Sequence, residues 1–256
     1  MRILMIGDVI GKPGRQAIRH LVPDLRQEYQ IDLVIANGEN TAGGFGITVD
    51  TAYELLEGGV DILTSGNHIW DQKEIIPHLD EGLPLLRPAN YPDAPGRGYL
   101  VQRDVMVMNL IGRVFMAPLE CPFRTADRLL KEAKADGVPR IIFVDFHAEA
   151  TSEKQALGWY LDGRVSALIG THTHVGTVDA RILPKGTAYL TDVGMTGPVN
   201  SVIGSETGAV LDRFLTGLPN RLSVATGPVM MNSVLVDIDS ETGKALAIQR
   251  LDRMVN

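Results

Sequence analysis

Residues 1–14, MRILMIGDVIGKPG, decide the fold. The apolar run over residues 2–7 predicts a buried strand, and Pro13 then stands where a helix has its first turn. Beyond Pro13, apolar residues recur at the spacing of one helix face: Ile18, Leu21, Val22 and Leu25. Because a buried strand that leads directly into a helix is the repeating unit of α/β proteins, this stretch predicts the α/β class.

The same alternation of strand and helix continues along the chain. Further buried strands are predicted at residues 32–36, 61–65, 140–145, 165–169 and 187–191. Two regions depart from the pattern: residues 84–116, where strands over 99–101 and 105–110 follow each other, and a C-terminal hairpin of 233–238 and 244–251. Parallel units combined with antiparallel pieces predict two mixed sheets stacked face to face, with helices on the outside.

The composition is that of an ordinary globular protein. Of the 256 residues, 45% are hydrophobic and 21% are charged, which excludes a disordered chain, a coiled coil and a collagen-like fibre. No linker or repeat divides residues 1–256, so a single domain is expected. The formal net charge of −7 argues against capture of nucleic acid by the whole surface. RNA is therefore not indicated as a partner, and homo-oligomer formation is left open.

Cysteine usage and hydropathy indicate the compartment. Cys121 is the only cysteine, so no internal disulfide can form and the chain suits a reducing environment. The first apolar stretch ends at Gly7 and Asp8 and is too short for a signal peptide. No later apolar stretch approaches the length needed to span a bilayer. We therefore expect a cytoplasmic protein with no membrane partner.

Polar, metal-competent residues follow one predicted strand after another. In an open α/β sheet, ligands collect at the carboxyl ends of the strands. Residues that are far apart in the chain are therefore expected to converge on one crevice. These residues are Asp8, Glu39, Asn40, Asn67, His68, His147, His172 and His174.

Seven of these residues, all except His68, are candidate metal ligands: three imidazoles, two carboxylates and two carboxamides, with no thiolate. Such a set suits manganese, iron or zinc and argues against a structural cysteine–zinc site. In Thr-His-Thr-His, His172 and His174 are expected on one side of an extended segment. If Glu39 bridges, the ligands divide between two ions about 3.5–4 Å apart, as in two-metal phosphoesterases. An anionic phosphoester would be drawn to such a centre.

Two competing motifs fit less well. The segment from Gly7 to Pro13 resembles a phosphate-binding loop, but only three residues separate Gly7 from Gly11 and proline follows the lysine. A barrel-type metal amidohydrolase also gathers His and Asp at strand ends. Its His-x-His pair would be expected on the first strand, whereas here it comes late. Three interpretations of the site stay open from the residues alone: hydrolysis of phosphodiesters, hydrolysis of phosphomonoesters, and a non-catalytic metal-binding regulator.

The ordered set of motifs resembles the calcineurin-like metallophosphoesterases and, within them, the bacterial YmdB-like phosphodiesterases. The motifs are Gly7-Asp8-Val-Ile-Gly, Asn37-Gly-Glu39-Asn40, Gly66-Asn67-His68, the lone His147 and Gly170-Thr-His172-Thr-His174. The general superfamily expects a histidine at Ile10, an aspartate at Glu39 and an acidic residue at Ile69. These three departures match the YmdB-like pattern.

The resemblance implies a four-layer α/β/β/α sandwich and a dinuclear centre. By position, Asp8, Glu39, Asn40 and His174 would surround one metal. Glu39, Asn67, His147 and His172 would surround the other, with Glu39 bridging. Iron is the metal that the resemblance suggests, while the ligand types suit manganese equally well.

The resemblance also implies the activity, which is hydrolysis of cyclic nucleotides, with 2′,3′-cyclic nucleoside monophosphates favoured. As a mechanistic hypothesis, a metal-bridging hydroxide attacks phosphorus and His68 protonates the leaving ester oxygen. Asp145 and Asp192 are candidates for orienting imidazoles, with a role in turns as the alternative. Residues 193–231, rich in Gly, Pro, Ser and Thr, are expected to form a long mobile loop or a lid beside the site.

Overall fold

The computed structural model describes residues 1–135, 137 and 139–255. Its strands are β1 Arg2–Ile6, β2 Asp8–Val9, β3 Leu33–Asn37, β4 Ile62–Thr64, β5 Tyr99–Gln102, β6 Val105–Ile111, β7 Ile141–His147, β8 Ala167–Thr171, β9 Arg181–Ile182, β10 Ala188–Leu190, β11 Met195–Pro198, β12 Val229–Met231, β13 Ser233–Ile238, β14 Ala245–Arg250 and β15 Arg253–Val255. Its helices are α1 Gly11–Glu28, α2 Val49–Glu57, α3 Pro122–Ala135, α4 Thr151–Leu161 and α5 Thr207–Thr216, and a 3-10 helix covers Lys73–Asp80. Each strand predicted from the sequence is confirmed, with ends shifted by one or two residues.

Two large mixed sheets and one small sheet make up the β structure of the described residues. The first has the order β14-β13-β1-β3-β4, in which β1, β3 and β4 run parallel. The second has the order β5-β6-β7-β8-β10-β9, with a parallel centre and antiparallel edges. In both sheets the parallel strands bring their carboxyl ends to one edge, which is where the candidate ligands follow.

The small third sheet, β15-β12-β11-β2, was not expected from the sequence. It forms because the apolar run at the N-terminus is broken at Gly7. A Cβ at Gly7 would lie 1.9 Å from the carbonyl oxygen of Gly194, so only glycine permits this approach. The chain then leaves β1 and pairs Asp8 and Val9 with Met195 and Thr196 of β11.

Three apolar clusters hold these elements together. On the first sheet, Leu4 and Val34 face a cluster that includes α1 and α2. The alternate residues of the same strands, such as Met5, face a second cluster that includes Phe143 of the second sheet, as expected from the alternation of side chains along a strand. The outer face of the second sheet, with Val144, packs with α3 and α4. The protein is thus a mixed α/β fold with several sheets and flanking helices.

Two further features of the helices bear on the sequence predictions. Pro13 lies in the first turn of α1, as predicted. Among the helices of the described residues, none is both long and apolar enough to cross a bilayer. Residues 193–231 contain β11, α5 and β12, so this segment is not one long loop.

Candidate metal centre

The strand ends deliver the candidate ligands to one place between the sheets. Asp8 lies two residues beyond β1, where it begins β2, and Glu39 lies two residues beyond β3. His147 is the last residue of β7, and His172 follows β8. The side chains of Asp8, Glu39 and His147 are fully buried, so charged and polar groups from both large sheets meet in the interior.

A first group of potential ligand atoms comes from Glu39, His147 and His172. One atom from each lies within 4.8 Å of the others. His147 Nε2 is 3.1 Å from Glu39 Oε1 and 3.0 Å from His172 Nδ1. The side-chain oxygen of Asn67 lies 3.1 Å from the same Nε2, so four of the predicted ligands surround one point.

A second group, formed by Asp8, Glu39 and His174, lies next to the first and shares Glu39 with it. Its potential ligand atoms also lie within 4.8 Å of one another. His174 Nε2 is 4.0 Å from Asp8 Oδ1 and 3.2 Å from the side-chain nitrogen of Asn40. All seven predicted ligands are therefore brought together, and Glu39 belongs to both groups.

The donor set and the space around it fit divalent metal ions. Oδ1 of Asp8 is buried and has no hydrogen-bond partner among the described residues. A buried polar atom without a partner costs stability, and a metal ion would satisfy it. A Cβ at Gly66 would lie 2.2 Å from His147 Nε2 and 2.4 Å from Glu39 Oε2. Glycine therefore keeps open the space between two predicted ligands, and nitrogen and oxygen donors suit transition metals.

The two imidazoles of the first group have pKa values that are shifted in opposite directions. Burial lowers the pKa of His147, but the carboxylates of Glu39, Asp8 and Asp145 together more than offset this, and the pKa rises to about 9. In turn, burial raises the pKa of Glu39, yet His147 brings it down to about 2. Burial, with the neighbouring His147, lowers the pKa of His172 to about 3. A proton on His147 therefore occupies the position where a metal would bind, while His172 is neutral.

Asp145 orients His147 through the hydroxyl group of Thr171. His147 Nδ1 lies 3.0 Å from the hydroxyl of Thr171, and that hydroxyl donates to Asp145 Oδ1 at 2.7 Å. The hydroxyl oxygen is thus an acceptor for Nδ1–H, which turns Nε2 toward Glu39. Asn37 donates to the other oxygen of Asp145 at 3.1 Å. Burial raises the pKa of Asp145 to about 6.

The Thr-His-Thr-His segment is not extended, contrary to the prediction from the sequence. His172 has φ 100° and His174 has φ 65°, a region that residues other than glycine seldom adopt. His174 Nδ1 donates to the carbonyl oxygen of Ile203 at 2.9 Å, which leaves Nε2 for Asp8. His172 Nε2 lies 3.0 Å from Glu149 Oε2, which leaves Nδ1 facing His147.

Asp192 supports the Thr-His-Thr-His segment, although within the part of the chain that the structure describes it makes no hydrogen bond to an imidazole. Its Oδ2 accepts hydrogen bonds from the main-chain nitrogen and hydroxyl of Thr173, at 3.1 Å and 2.8 Å. The same oxygen pairs with Lys154 Nζ at 2.6 Å, and both side chains are buried. A buried ion pair therefore fixes the residue that lies between the two histidines.

His68 lies beside the ligand groups and belongs to neither. Its main-chain nitrogen donates to Glu39 Oε2 at 3.1 Å, while its ring nitrogen Nδ1 is 2.8 Å from Asp71 Oδ2. Asp71 does not cap the 3-10 helix, which begins at Lys73 without a side-chain cap. Asp71 instead holds the His68 ring, so that Nε2 is left for other contacts.

A cavity of about 720 Å³ opens over this centre. Glu39, His68 and His172 line its floor, and residues of the segment 202–224 form another part of its lining. This volume is in the range of small-molecule sites. The arrangement therefore combines a candidate metal centre, a neighbouring histidine and room for a ligand.

The comparison with known families decides the identity of the fold and site. A model of the YmdB-like protein family matches residues 4–251. The chain belongs to the YmdB-like family. The resemblance inferred from the motifs is thereby confirmed, and the YmdB-like match includes every predicted site residue.

The proteins similar to this YmdB-like chain include one named for an enzyme activity and two of solved structure. It is 51% identical over 256 residues to a 2′,3′-cyclic-nucleotide 2′-phosphodiesterase of Bacillus subtilis, covering 98% of this chain and 96% of the relative. The crystal structure of a hypothetical protein from Thermus thermophilus matches with a TM-score of 0.92 and 47% identity, covering 99% of both chains. A crystal structure described as a novel phosphatase from Mycoplasma pneumoniae matches with a TM-score of 0.93 and 34% identity, covering 99% of this chain and 93% of that one.

Reasoning from the sequence missed several residues of the YmdB-like site. Thr171, Glu149 and Lys154 contact a predicted ligand or its supporting carboxylate, yet none was singled out. A signal existed for Thr171, which lies inside the Gly-Thr-His-Thr-His motif. Glu149 follows His147 by two residues on the chain, whereas Lys154 reaches the site from α4 and left no local signal.

Proposed function

We propose that the protein is a dinuclear metal-dependent phosphodiesterase that hydrolyses cyclic nucleotides, with 2′,3′-cyclic nucleoside monophosphates as the favoured substrates. The observation that carries the proposal is the sharing of Glu39 between two adjacent groups of potential ligand atoms. The name of the Bacillus subtilis relative supports the substrate class. The cavity over the centre has the size for a mononucleotide.

In this proposal the seven candidate ligands divide between two transition-metal ions, with iron favoured and manganese as the alternative. One ion is held by Asp8, Glu39, Asn40 and His174. The other is held by Glu39, Asn67, His147 and His172. Bound metals of this kind supply a nucleophilic hydroxide at neutral pH and neutralise charge that develops on phosphoryl oxygens.

The chain's own acid is His68. Asp71 accepts the hydrogen bond from Nδ1 and so orients the ring. In the doubly protonated ring, Nε2–H donates the proton that passes to the leaving ester oxygen. The hydrogen bond from the His68 main chain to Glu39 ties the acid to the bridging ligand. This contact holds the main chain of His68 beside the side chain that both ligand groups share.

The same proposal includes the architecture and the setting. The three apolar clusters support a four-layer α/β/β/α sandwich over one domain of residues 1–256. The substrate is a small-molecule phosphoester, and the net charge of −7 does not favour RNA. A cytoplasmic setting is consistent with the single free cysteine.

A second candidate activity is hydrolysis of phosphomonoesters at the same centre. The Mycoplasma pneumoniae structure described as a novel phosphatase favours it. A dinuclear centre can polarise either kind of ester, so the ligand groups do not separate the two activities. The ratio of rates on a diester and a monoester decides between them.

One experiment measures metal content together with hydrolysis of 2′,3′-cyclic AMP, a chromogenic diester and a chromogenic monoester. The parent protein is expected to hold about two metal ions and to act on the cyclic nucleotide. Asp8→Ala is expected to lose metal and activity, whereas the control Asp24→Ala, exposed on α1, retains both. A parent that holds two metals and is inert toward every phosphoester would overturn the proposal in favour of a metal-binding regulator.

A further inference from the structure

The cavity extends well beyond the candidate ligands, and its outer part is mostly apolar, with Ser205, Arg213 and Ser223 as polar members of the lining. The apolar side chains that line it include Ile10, Phe45, Val202, Ile203, Phe214 and Val224. A cyclic phosphate bound at the metal centre would contact only the floor of this cavity. The remaining lining therefore faces whatever the phosphate is attached to.

Phe45 is an aromatic residue in contact with the predicted acid. Its ring packs edge-on against His68, with centroids 5.2 Å apart and an interplanar angle of 71°. Its carbonyl oxygen accepts a hydrogen bond from Gln72 at 2.9 Å, and its neighbours Gly44 and Gly46 have φ values of 100° and 77°. The loop is thus held in place, and yet the Phe45 side chain is 41% exposed.

Another part of the outer lining comes from α5 and the residues around it. In α5 only Val210 is buried, and Phe214, which also lines the cavity, is 82% exposed. The loop of Phe45 adjoins this lining, because a Cβ placed on Gly44 would lie 3.2 Å from a methyl group of Val224. The two aromatic residues and the aliphatic ones between them therefore form one continuous apolar lining.

The chemistry of a 2′,3′-cyclic nucleotide determines what lies beside His68. When the ester bond at the 2′ position breaks, phosphorus gains a bond to a hydroxide oxygen, and the 2′-oxygen takes the proton from His68 Nε2 to leave a nucleoside 3′-phosphate. The 2′-oxygen is attached to C2′ of the ribose, and the nucleobase is attached to the adjacent C1′. The base is therefore held close to His68, which is the side of the cavity that Phe45 lines.

We propose that Phe45, together with the lining formed by Ile203, Phe214 and Val224, is the nucleobase subsite of this enzyme. The inference rests on the proposed function and adds the group that the cavity recognises. Stacking on an aromatic face accepts every base because each base has a π-face. Apolar side chains add no hydrogen-bond pattern that would select one base. The subsite therefore favours nucleoside cyclic phosphates as a class over cyclic phosphates without a base.

The test compares two five-membered cyclic phosphodiesters, 2′,3′-cyclic AMP and glycerol 1,2-cyclic phosphate, which has no base. With the metal-loaded protein, Phe45→Ala is expected to raise KM for 2′,3′-cyclic AMP by roughly 10-fold, because stacking of one base on an aromatic ring typically contributes that much to affinity. The value of kcat is expected to change little. The value of kcat/KM for the glycerol compound is expected to stay the same. Phe45→Trp is expected to restore the KM for the nucleotide, and Phe214→Ala to reproduce the selective effect.

A binding readout and a matched control complete the test. The affinity for 3′-AMP, measured by calorimetry, is expected to fall by about the same factor in Phe45→Ala, while metal content stays at the parent value. The control is Phe115→Ala, since Phe115 is 88% exposed and does not line the cavity. This variant is expected to behave as the parent does toward both substrates.

Results that contradict the subsite can be distinguished from results that contradict the proposed function. An equal loss on both substrates would mean that Phe45 acts by holding His68, and no change on either would mean that the base binds elsewhere. Both results overturn the subsite while the parent activity stands. A parent protein that is inert toward both cyclic phosphates overturns the proposed function itself, and the subsite with it.

Discussion

At the scale of single residues, Glu39 is the side chain on which the centre depends. It is fully buried, belongs to both groups of potential ligand atoms and accepts the main-chain hydrogen bond of His68. A glutamate reaches farther from the backbone than an aspartate would. Its location beyond β3 allows it to touch His147, which arrives from the second sheet.

His68→Ala separates the acid from the metal ligands. Because His68 belongs to neither ligand group, the variant is expected to retain its metal. Its turnover is expected to fall by about 10²–10⁴-fold, the factor that general acid catalysis typically contributes to the rate. The measurement is metal content alongside kcat for 2′,3′-cyclic AMP. Loss of metal in this variant would identify His68 as a ligand instead.

The matched control is His78→Ala. His78 also pairs with a carboxylate three residues later, through Nδ1 and Glu81 Oε2 at 2.6 Å, but it does not line the cavity. Turnover in this control is expected to equal that of the parent. A comparable loss in both variants would point to an effect on folding.

Binding of metal is expected to release protons. The pKa of His147 is about 9 in the protein alone, so its Nε2 is protonated at pH 7 and a metal must displace that proton. The apparent affinity for metal should therefore rise with pH and level off as the pH passes about 9. Calorimetric titration in two buffers of different ionisation enthalpy measures the release. Binding at pH 7 without release of a proton would contradict this account of His147.

At the scale of elements, the strand ends were predictable and the loops between them were not. A strand reveals itself by its apolar run, and a polar residue directly after it, such as Asp8 or His147, marks the edge where ligands collect. The left-handed conformations of His172 and His174 have no local signal. They are imposed by contacts with α4 and the chain near Asp192, which are distant in sequence.

Lys154→Met tests the element that supports the histidine segment. Lys154 reaches from α4 to Asp192 Oδ2 at 2.6 Å and to the carbonyl oxygen of Thr171 at 2.8 Å. Removing one partner of a buried ion pair leaves an uncompensated charge and typically costs about 3–5 kcal/mol. The free energy of unfolding, measured by urea denaturation, should fall by about that amount.

Two controls accompany the change at Lys154. The double variant Lys154→Met/Asp192→Asn removes both charges and is expected to recover part of the lost stability. Lys131→Met, at an exposed position of α3, is expected to stay within about 0.5 kcal/mol of the parent. A loss below about 1 kcal/mol at Lys154 would show that the pair does not hold the segment.

At the scale of the whole molecule, the centre joins two sheets. Glu39 comes from the first sheet, whereas His147 and His172 come from the second, and Asp8 begins β2 of the small sheet. The candidate ligands could be read from the sequence because each lies at the end of a predicted strand or shortly beyond it. The groups that orient them, such as Thr171 and Glu149, could not, because their role depends on which strands are neighbours and on how the two sheets are stacked.

The central claim is that two metal ions share Glu39 between these sheets. A crystal structure of the metal-loaded protein, recorded at the absorption edges of iron and manganese, tests it most directly. Two anomalous peaks about 3.5–4 Å apart are expected, one beside Asp8 and His174, the other beside His147 and His172, with Glu39 bound to both. A single peak, or two peaks with Glu39 bound to neither, would contradict it.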